Sequence, residues 1–185
     1  VAMPAAAKLL ADNGLSATIG YAHGAIPGLG NAKWSYNTAS VSAGTTLMRA
    51  VAACRKAGAS RVDAFATHGV FLPEASQLLG PDGPDRLVVT DHNSIQGALQ
   101  AQAIDPQRII IGEEIMTLSG ELLAAFVQEE IPAGLEAKEA IALLRQQGAY
   151  ISVSHPFDKM RSGHWSEPDL LEIKPLVDAI EVFNA

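Results

Sequence analysis

The sequence predicts an α/β protein, built as a parallel β/α sheet or a partial, distorted β/α barrel, and three observations carry that expectation. Short apolar runs rich in β-branched residues alternate with stretches of helical spacing. Several of those runs end in histidines and carboxylates, as strands of parallel sheets and barrels do at their carboxyl edge. No internal repeat, heptad or low-complexity tract competes with this reading.

In chain order, Leu47, Val51 and Cys54, with Ala50 and Ala57 beside them, recur at helical spacing, and Gly58 stands where a helix C-cap belongs. Arg61 to Thr67, Leu87 to Thr90, Ile109 to Ile111, Tyr150 to Ser154 and Ala179 to Phe183 read as strands. Helices are expected at Glu74 to Leu79, Ile95 to Ala103, Glu136 to Gln147 and Pro168 to Leu176, the third closed by Gly148. The stretch EEIMTLSGELLAAFVQ breaks the alternation. Its Ser119-Gly120 lies between two extended-looking runs, which predicts a hairpin appended to the sheet. Tyr21 to Ser40 holds three glycines and a proline without a usable period and reads as a long loop. Its GLG lacks the third glycine and the following helix of a dinucleotide fingerprint.

A chain of 185 residues can bury one sizeable core, so a single α/β domain over 1–185 is expected. No apolar run reaches the roughly eighteen residues that cross a bilayer, which leaves no membrane partner to expect. The opening VAMPAAAKLL lacks the apolar block of a secretory signal. The one cysteine, Cys54, excludes an internal disulfide, and together these suggest a reducing, cytoplasmic setting. The net charge of −7 opposes non-specific attraction to nucleic-acid backbones. A small anionic substrate would then need a local cationic site, such as a metal.

The strand ends suggest where that site is. Arg61 to Thr67 is followed by His68, Leu87 to Thr90 by Asp91 and His92, Ile109 to Ile111 by Gly112, Glu113 and Glu114, and Tyr150 to Ser154 by His155. Three of the five histidines stand at such tips, and His23 and His164 do not. Imidazole nitrogen mixed with carboxylate oxygen suits Zn, Mn or Fe. The plainer readings are loop histidines, Asp91 or Asn93 capping the next helix, and one of Glu113 and Glu114 facing solvent.

From Thr90 onward, TDHNSIQGA, IIIGEEI, GELLAAFVQEEIPAGL, ISVSHPFD and VDAIEVFNA follow the order of motifs in the PHP (polymerase and histidinol phosphatase) family of metal-dependent phosphoesterases, which this half resembles. The resemblance implies a distorted barrel with divalent metal at the strand ends. It implies metal ligands at Asp91, His92, Glu114 and His155, with His68 as a further candidate, and Lys159 and Arg161 as contacts for a substrate phosphate. The family's opening His-x-His is reduced here to His68 with Ala66 in its partner's place, and the sequence stops at Ala185, before the place of its closing Asp-x-His. An incomplete ligand set implies weak hydrolysis of a small phosphate ester.

Residues 42–91, SAGTTLMRAVAACRKAGASRVDAFATHGVFLPEASQLL through LVVTD, are similar to the type I phosphoribosyltransferase fold and within it to phosphoribosyl pyrophosphate synthetases. That resemblance implies a phosphate loop at Ser42, Ala43, Gly44, Thr45 and Thr46, although Thr38 and Ala39 replace the acidic pair that precedes it. The two resemblances divide the chain into halves at 1–89 and 90–185, joined near Val88–Asp91. VVTD suits either family, so a chimeric chain, natural or made, is expected. Three functions follow: a weak PHP-type phosphoesterase, a folded chimera without activity, or a module binding phosphoribosyl pyrophosphate or a nucleotide. An incomplete barrel would expose strand edges, which favours a homodimer.

Overall fold

The structure is a computed structural model that describes residues 17–20, 33–38, 45–56, 59, 61–67 and 77–181. Contacts divide the chain into two compact units, Val1–Val88 and Val89–Asn184. The division falls inside strand β4 (Arg86–His92), the strand that carries LVVTD.

The first unit contains β1 (Ala17–Gly20), β2 (Lys33–Thr38), α1 (Thr45–Lys56) and β3 (Arg61–Thr67). The three strands are parallel neighbours in chain order, with Ala17 opposite Trp34 and Lys33 opposite Arg61. Strand β2 corrects the long loop expected over Tyr21 to Ser40. KWSYNT is too polar to stand out as an apolar run, and pairing on both sides by β1 and β3 supplies the backbone bonds that make it a strand. Val62, Ala64 and Ala66 alternate inward on β3, and Leu47 and Val51 form the buried stripe of α1. Of the helix expected at Glu74 to Leu79, the described part, 77–79, is a single 3-10 turn. Asp85 Oδ2 ties this unit together by accepting from Val62 N at 2.6 Å and Arg55 Nη2 at 3.0 Å.

The second unit runs through the end of β4, α2 (Gln96–Ile104), β5 (Ile109–Met116), β6 (Glu121–Ala125), α3 (Ala137–Gln146), β7 (Tyr150–Val153), α4 (Glu167–Ile173), a 3-10 turn at Lys174–Leu176 and β8 (Ala179–Ile180). Its strands lie side by side in chain order. The β5–β6 and β6–β7 pairs are antiparallel and β7–β8 is parallel. The protein is therefore α/β as expected, but its sheet is mixed and not wholly parallel. The hairpin at Ser119-Gly120 forms, yet β6 is no appendage, because it lies between β5 and β7.

One face of these strands and the inner faces of α3 and α4 enclose a core that includes Ile115, Leu122, Leu144, Ile151, Val153 and Ile173. Helix α3 stops where Gly148 takes φ 75°, letting the amides of Gln147 and Ala149 both return to the Leu144 carbonyl. Helix α4 starts at Ser166, whose hydroxyl accepts from Asp169 N at 3.2 Å, with Pro168 in the first turn.

Candidate metal centre

Antiparallel pairing decides which carboxylates meet. Met116 is opposite Glu121 and Glu114 opposite Leu123, so Glu114 and Glu121 project from the same face as diagonal neighbours. Glu113, opposite Ala124, projects from the other face, into the core with Ile115 and Leu122. Both Glu113 and Glu114 are buried, which corrects the expectation that one of them faces solvent.

His92, at the tip of β4, completes a group with Glu114 and Glu121 whose ligand-capable atoms all lie within 4.8 Å of one another. His92 Nδ1 is 2.9 Å from Glu121 Oε1, and His155 Nε2 is 2.7 Å from Glu121 Oε2. One carboxylate thus bridges two imidazoles. The other ring nitrogen, His92 Nε2, faces Glu114 Oε2 across 3.6 Å. That Glu114 oxygen is buried and has no hydrogen-bond partner, while its Oε1 accepts from Ser154 Oγ at 3.3 Å.

The electrostatics separate the two carboxylates. Burial, then the nearby Glu121 charge, pushes the Glu114 carboxyl up to about 7. Burial acts the same way on Glu121, but its bonds and charge interactions with His155 and His92 outweigh it and hold that carboxyl below its ordinary range. The same bond to Glu121 raises His155 against the opposing effect of burial. The arrangement can share a proton between the carboxylates or hold a cation among them.

The loop after β7 closes around this group. Glu121 N donates to Gly163 O at 3.0 Å, and Trp165 Nε1 donates to Glu121 O at 3.1 Å. A Cβ on Gly163 would come within 2.8 Å of the Glu121 Cβ, so only a glycine lets this loop pass so close. The backbone turns left-handed at two polar positions in and beside this group, Asn93 at φ 52° and His155 at φ 27°. Such conformations cost about 1–3 kcal/mol each and persist only where surrounding contacts impose them.

The structure places His92, Glu114 and His155 together, among the residues expected from sequence. The Asp91 carboxylate lies against Gly97, in the first turn of α2, where a Cβ would meet its Oδ2 at 2.0 Å. His68 and Ser42 to Gly44 lie outside the described residues, and Thr45 and Thr46 open α1. Lys159 and Arg161 are exposed on the loop after His155, with Arg161 Nε 3.5 Å from Asp158 Oδ2. Glu121 is the site residue that strand-end reasoning missed. It stands at the start of its strand, and β6 runs antiparallel, so its beginning reaches the edge where β4 and β7 end. The signal was available in a glutamate placed directly after the Ser-Gly turn of the expected hairpin.

Glu113 yields a separate prediction. Ile131 N donates to its Oε2 at 3.0 Å, its Oε1 has no partner, and burial pushes its carboxyl from 4.5 up to about 7. A folded-state value above the unfolded one means that the protonated acid favours folding. That contribution is complete below pH 4.5 and is lost as pH rises through about 7. Glu113→Gln, which mimics the protonated acid, is expected to leave stability at pH 4 nearly unchanged and to raise it at pH 8 by up to about 3 kcal/mol. Urea unfolding at both pH values checks this; equal shifts at the two would refute it.

No protein-family profile matches the chain. Among curated proteins it is similar to two uncharacterized proteins of Methanocaldococcus jannaschii. One is 32% identical over 106 residues, covering 56% of this chain and 60% of that protein. The other is 44% identical over 79 residues, covering 41% of this chain and 33% of that protein. A ribose-phosphate pyrophosphokinase of Pasteurella multocida is 38% identical over 85 residues, covering 46% of this chain and 24% of that protein. The chain therefore spans between a quarter and three fifths of these relatives. The last likeness supports the segment similar to phosphoribosyl pyrophosphate synthetases. Among the described residues, no helix is long and apolar enough to cross a membrane.

Proposed function

We propose that the C-terminal unit holds a divalent ion, Zn, Mn or Fe, through His92, Glu114 and Glu121, with His155 held beside them, and that it acts on a small phosphate ester. The observation that carries the metal site is the buried, unpartnered Glu114 Oε2 facing His92 Nε2. A cation between these two atoms would give the Glu114 oxygen the partner it lacks, and mixed imidazole and carboxylate donors suit these metals. The chemistry such an ion supplies is Lewis-acidic: positive charge to brace a phosphoryl oxygen and to acidify water.

The chain's own residues then bind and orient. Glu121 fixes both imidazole rings, and Ser154 fixes one oxygen of Glu114. Between Val89 and Asn184 the sequence has six Lys and Arg against fifteen Asp and Glu, and two of the six, Lys159 and Arg161, are in the loop after His155. Those two cations are the groups available to receive an anionic substrate near the site. The choice of a phosphate ester rests on the resemblance to PHP phosphoesterases.

Metal content by mass spectrometry, on protein purified without chelator or nickel resin, tests the site. About one equivalent of Zn, Mn or Fe is expected, falling at least tenfold in His155→Ala. Trace metal in both proteins would defeat the proposal and favour a folded chimera without activity. A second reading, in which the N-terminal unit binds phosphoribosyl pyrophosphate through Ser42 to Thr46, draws support from the ribose-phosphate pyrophosphokinase likeness. It requires that the compound raise the unfolding temperature of the wild type and not of Gly44→Asp.

A further inference from the structure

We propose that Glu181 is a positioning residue that sets the aim of His155 by holding its backbone. Glu181 directly follows β8, and its Oε2 accepts from the His155 backbone N at 2.6 Å. Its own N donates to Val153 O at 3.0 Å, and Ser154 N donates to Glu121 O at 3.2 Å. The end of β7 is thereby held from β6 at Ser154 and from the residue after β8 at His155.

The ring itself shows why the backbone must do this. An imidazole in a metal site is ordinarily oriented by a hydrogen bond from its second nitrogen to a neighbouring acceptor. His155 has no such bond, because its Nδ1 is buried without a hydrogen-bond partner while Nε2 meets Glu121 at 2.7 Å. Gly163 leaves room beside the ring but offers no side chain to direct it. Beyond the single bond at Nε2, the main chain must set the ring's position, and His155 has the unusual φ of 27°. A residue turning out of a strand in that conformation loses the sheet partner for its amide. The Glu181 carboxylate replaces that partner with a charge-assisted acceptor and so maintains the turn that aims Nε2 at Glu121.

This inference concerns the site of the proposed metal, but its test reads the ring directly. Nitrogen-15 shifts of the His155 ring, assigned by comparison with His155→Asn, are measured on the full chain without added metal. At alkaline pH, where the ring is neutral, the wild type is expected to hold one tautomer, with the proton on Nε2 facing Glu121. Glu181→Ala is expected to move both ring signals towards the values of mixed tautomers. Glu181→Gln, whose amide oxygen still accepts, is expected to restore the wild-type pattern. Unchanged signals in Glu181→Ala, or a change in Glu181→Gln as large as in Glu181→Ala, would overturn the assignment. Should the alanine variant lose its circular dichroism signal, Glu181→Asp, with the acceptor drawn back by one methylene, is read in the same way.

A zinc titration of the same proteins separates this inference from the metal site. Glu181→Ala is expected to weaken zinc binding by about 10-fold or more, within the range for residues that orient a ligand. Wild-type protein that shows the expected ring behaviour yet takes up no zinc would support Glu181 as the positioning residue and refute the metal site alone.

Discussion

Glu121→Ala is expected to abolish metal uptake, lowering affinity by about 100-fold or more, and to destabilise the C-terminal unit as well. The carboxylate is the shared partner of His92 and His155, so its removal frees both rings at once. His155, already without a partner on Nδ1, would be left in a buried position with neither nitrogen bonded. An unsatisfied buried polar group costs about 1–3 kcal/mol, and the vacated volume adds to that. Glu121→Gln separates the two effects, because the amide keeps the shape and one acceptor oxygen but loses the charge. Calorimetric zinc titration and urea unfolding of the three proteins check this. Zinc affinity in Glu121→Ala within a fewfold of wild type would remove Glu121 from the site.

Trp165→Ala is expected to destabilise the same unit by about 3–5 kcal/mol, the largest effect on folding predicted for a single side chain here. The indole is buried in the core and lies flat against Gly120, where a Cβ would come within 2.4 Å of the ring. Its Nε1 also donates to the carbonyl of Glu121 at 3.1 Å. The ring thus fastens the loop after His155 to the start of β6. Trp165→Phe keeps most of the apolar bulk and loses the hydrogen bond, for which about 1 kcal/mol is expected. Denaturant unfolding followed by circular dichroism distinguishes the two; equal losses for Phe and Ala would show that the hydrogen bond, and not the packing, dominates.

The α/β class and most elements could be read from periodicity because their signals are local. The strand over Arg61 to Thr67, the helix over α3 with Gly148 at its end and the hairpin at Ser119-Gly120 each depend on residues within a few positions of one another. Strand β2 could not be read in this way, because KWSYNT becomes a strand only through partners on both sides. The site was legible in part. His92 and His155 follow apolar runs that any strand-end argument examines, and Glu114 comes with them.

Glu121 and Asp91 show where such reasoning stops. A strand's residues can be recognised locally, but its direction relative to its neighbours cannot, and direction decides whether a side chain at its first residue or its last reaches a given edge. The local pattern determined the alternating elements, the polar residues at their ends and the hairpin. Tertiary structure decided that β6 lies inside the sheet and runs antiparallel, that Glu121 therefore joins His92, Glu114 and His155, that Glu113 turns into the core, and that Asp91 lies against Gly97. The physical reason is that side chains alternate across a strand with a period of two, so which carboxylates meet depends on register and direction, and pairing between distant segments sets both.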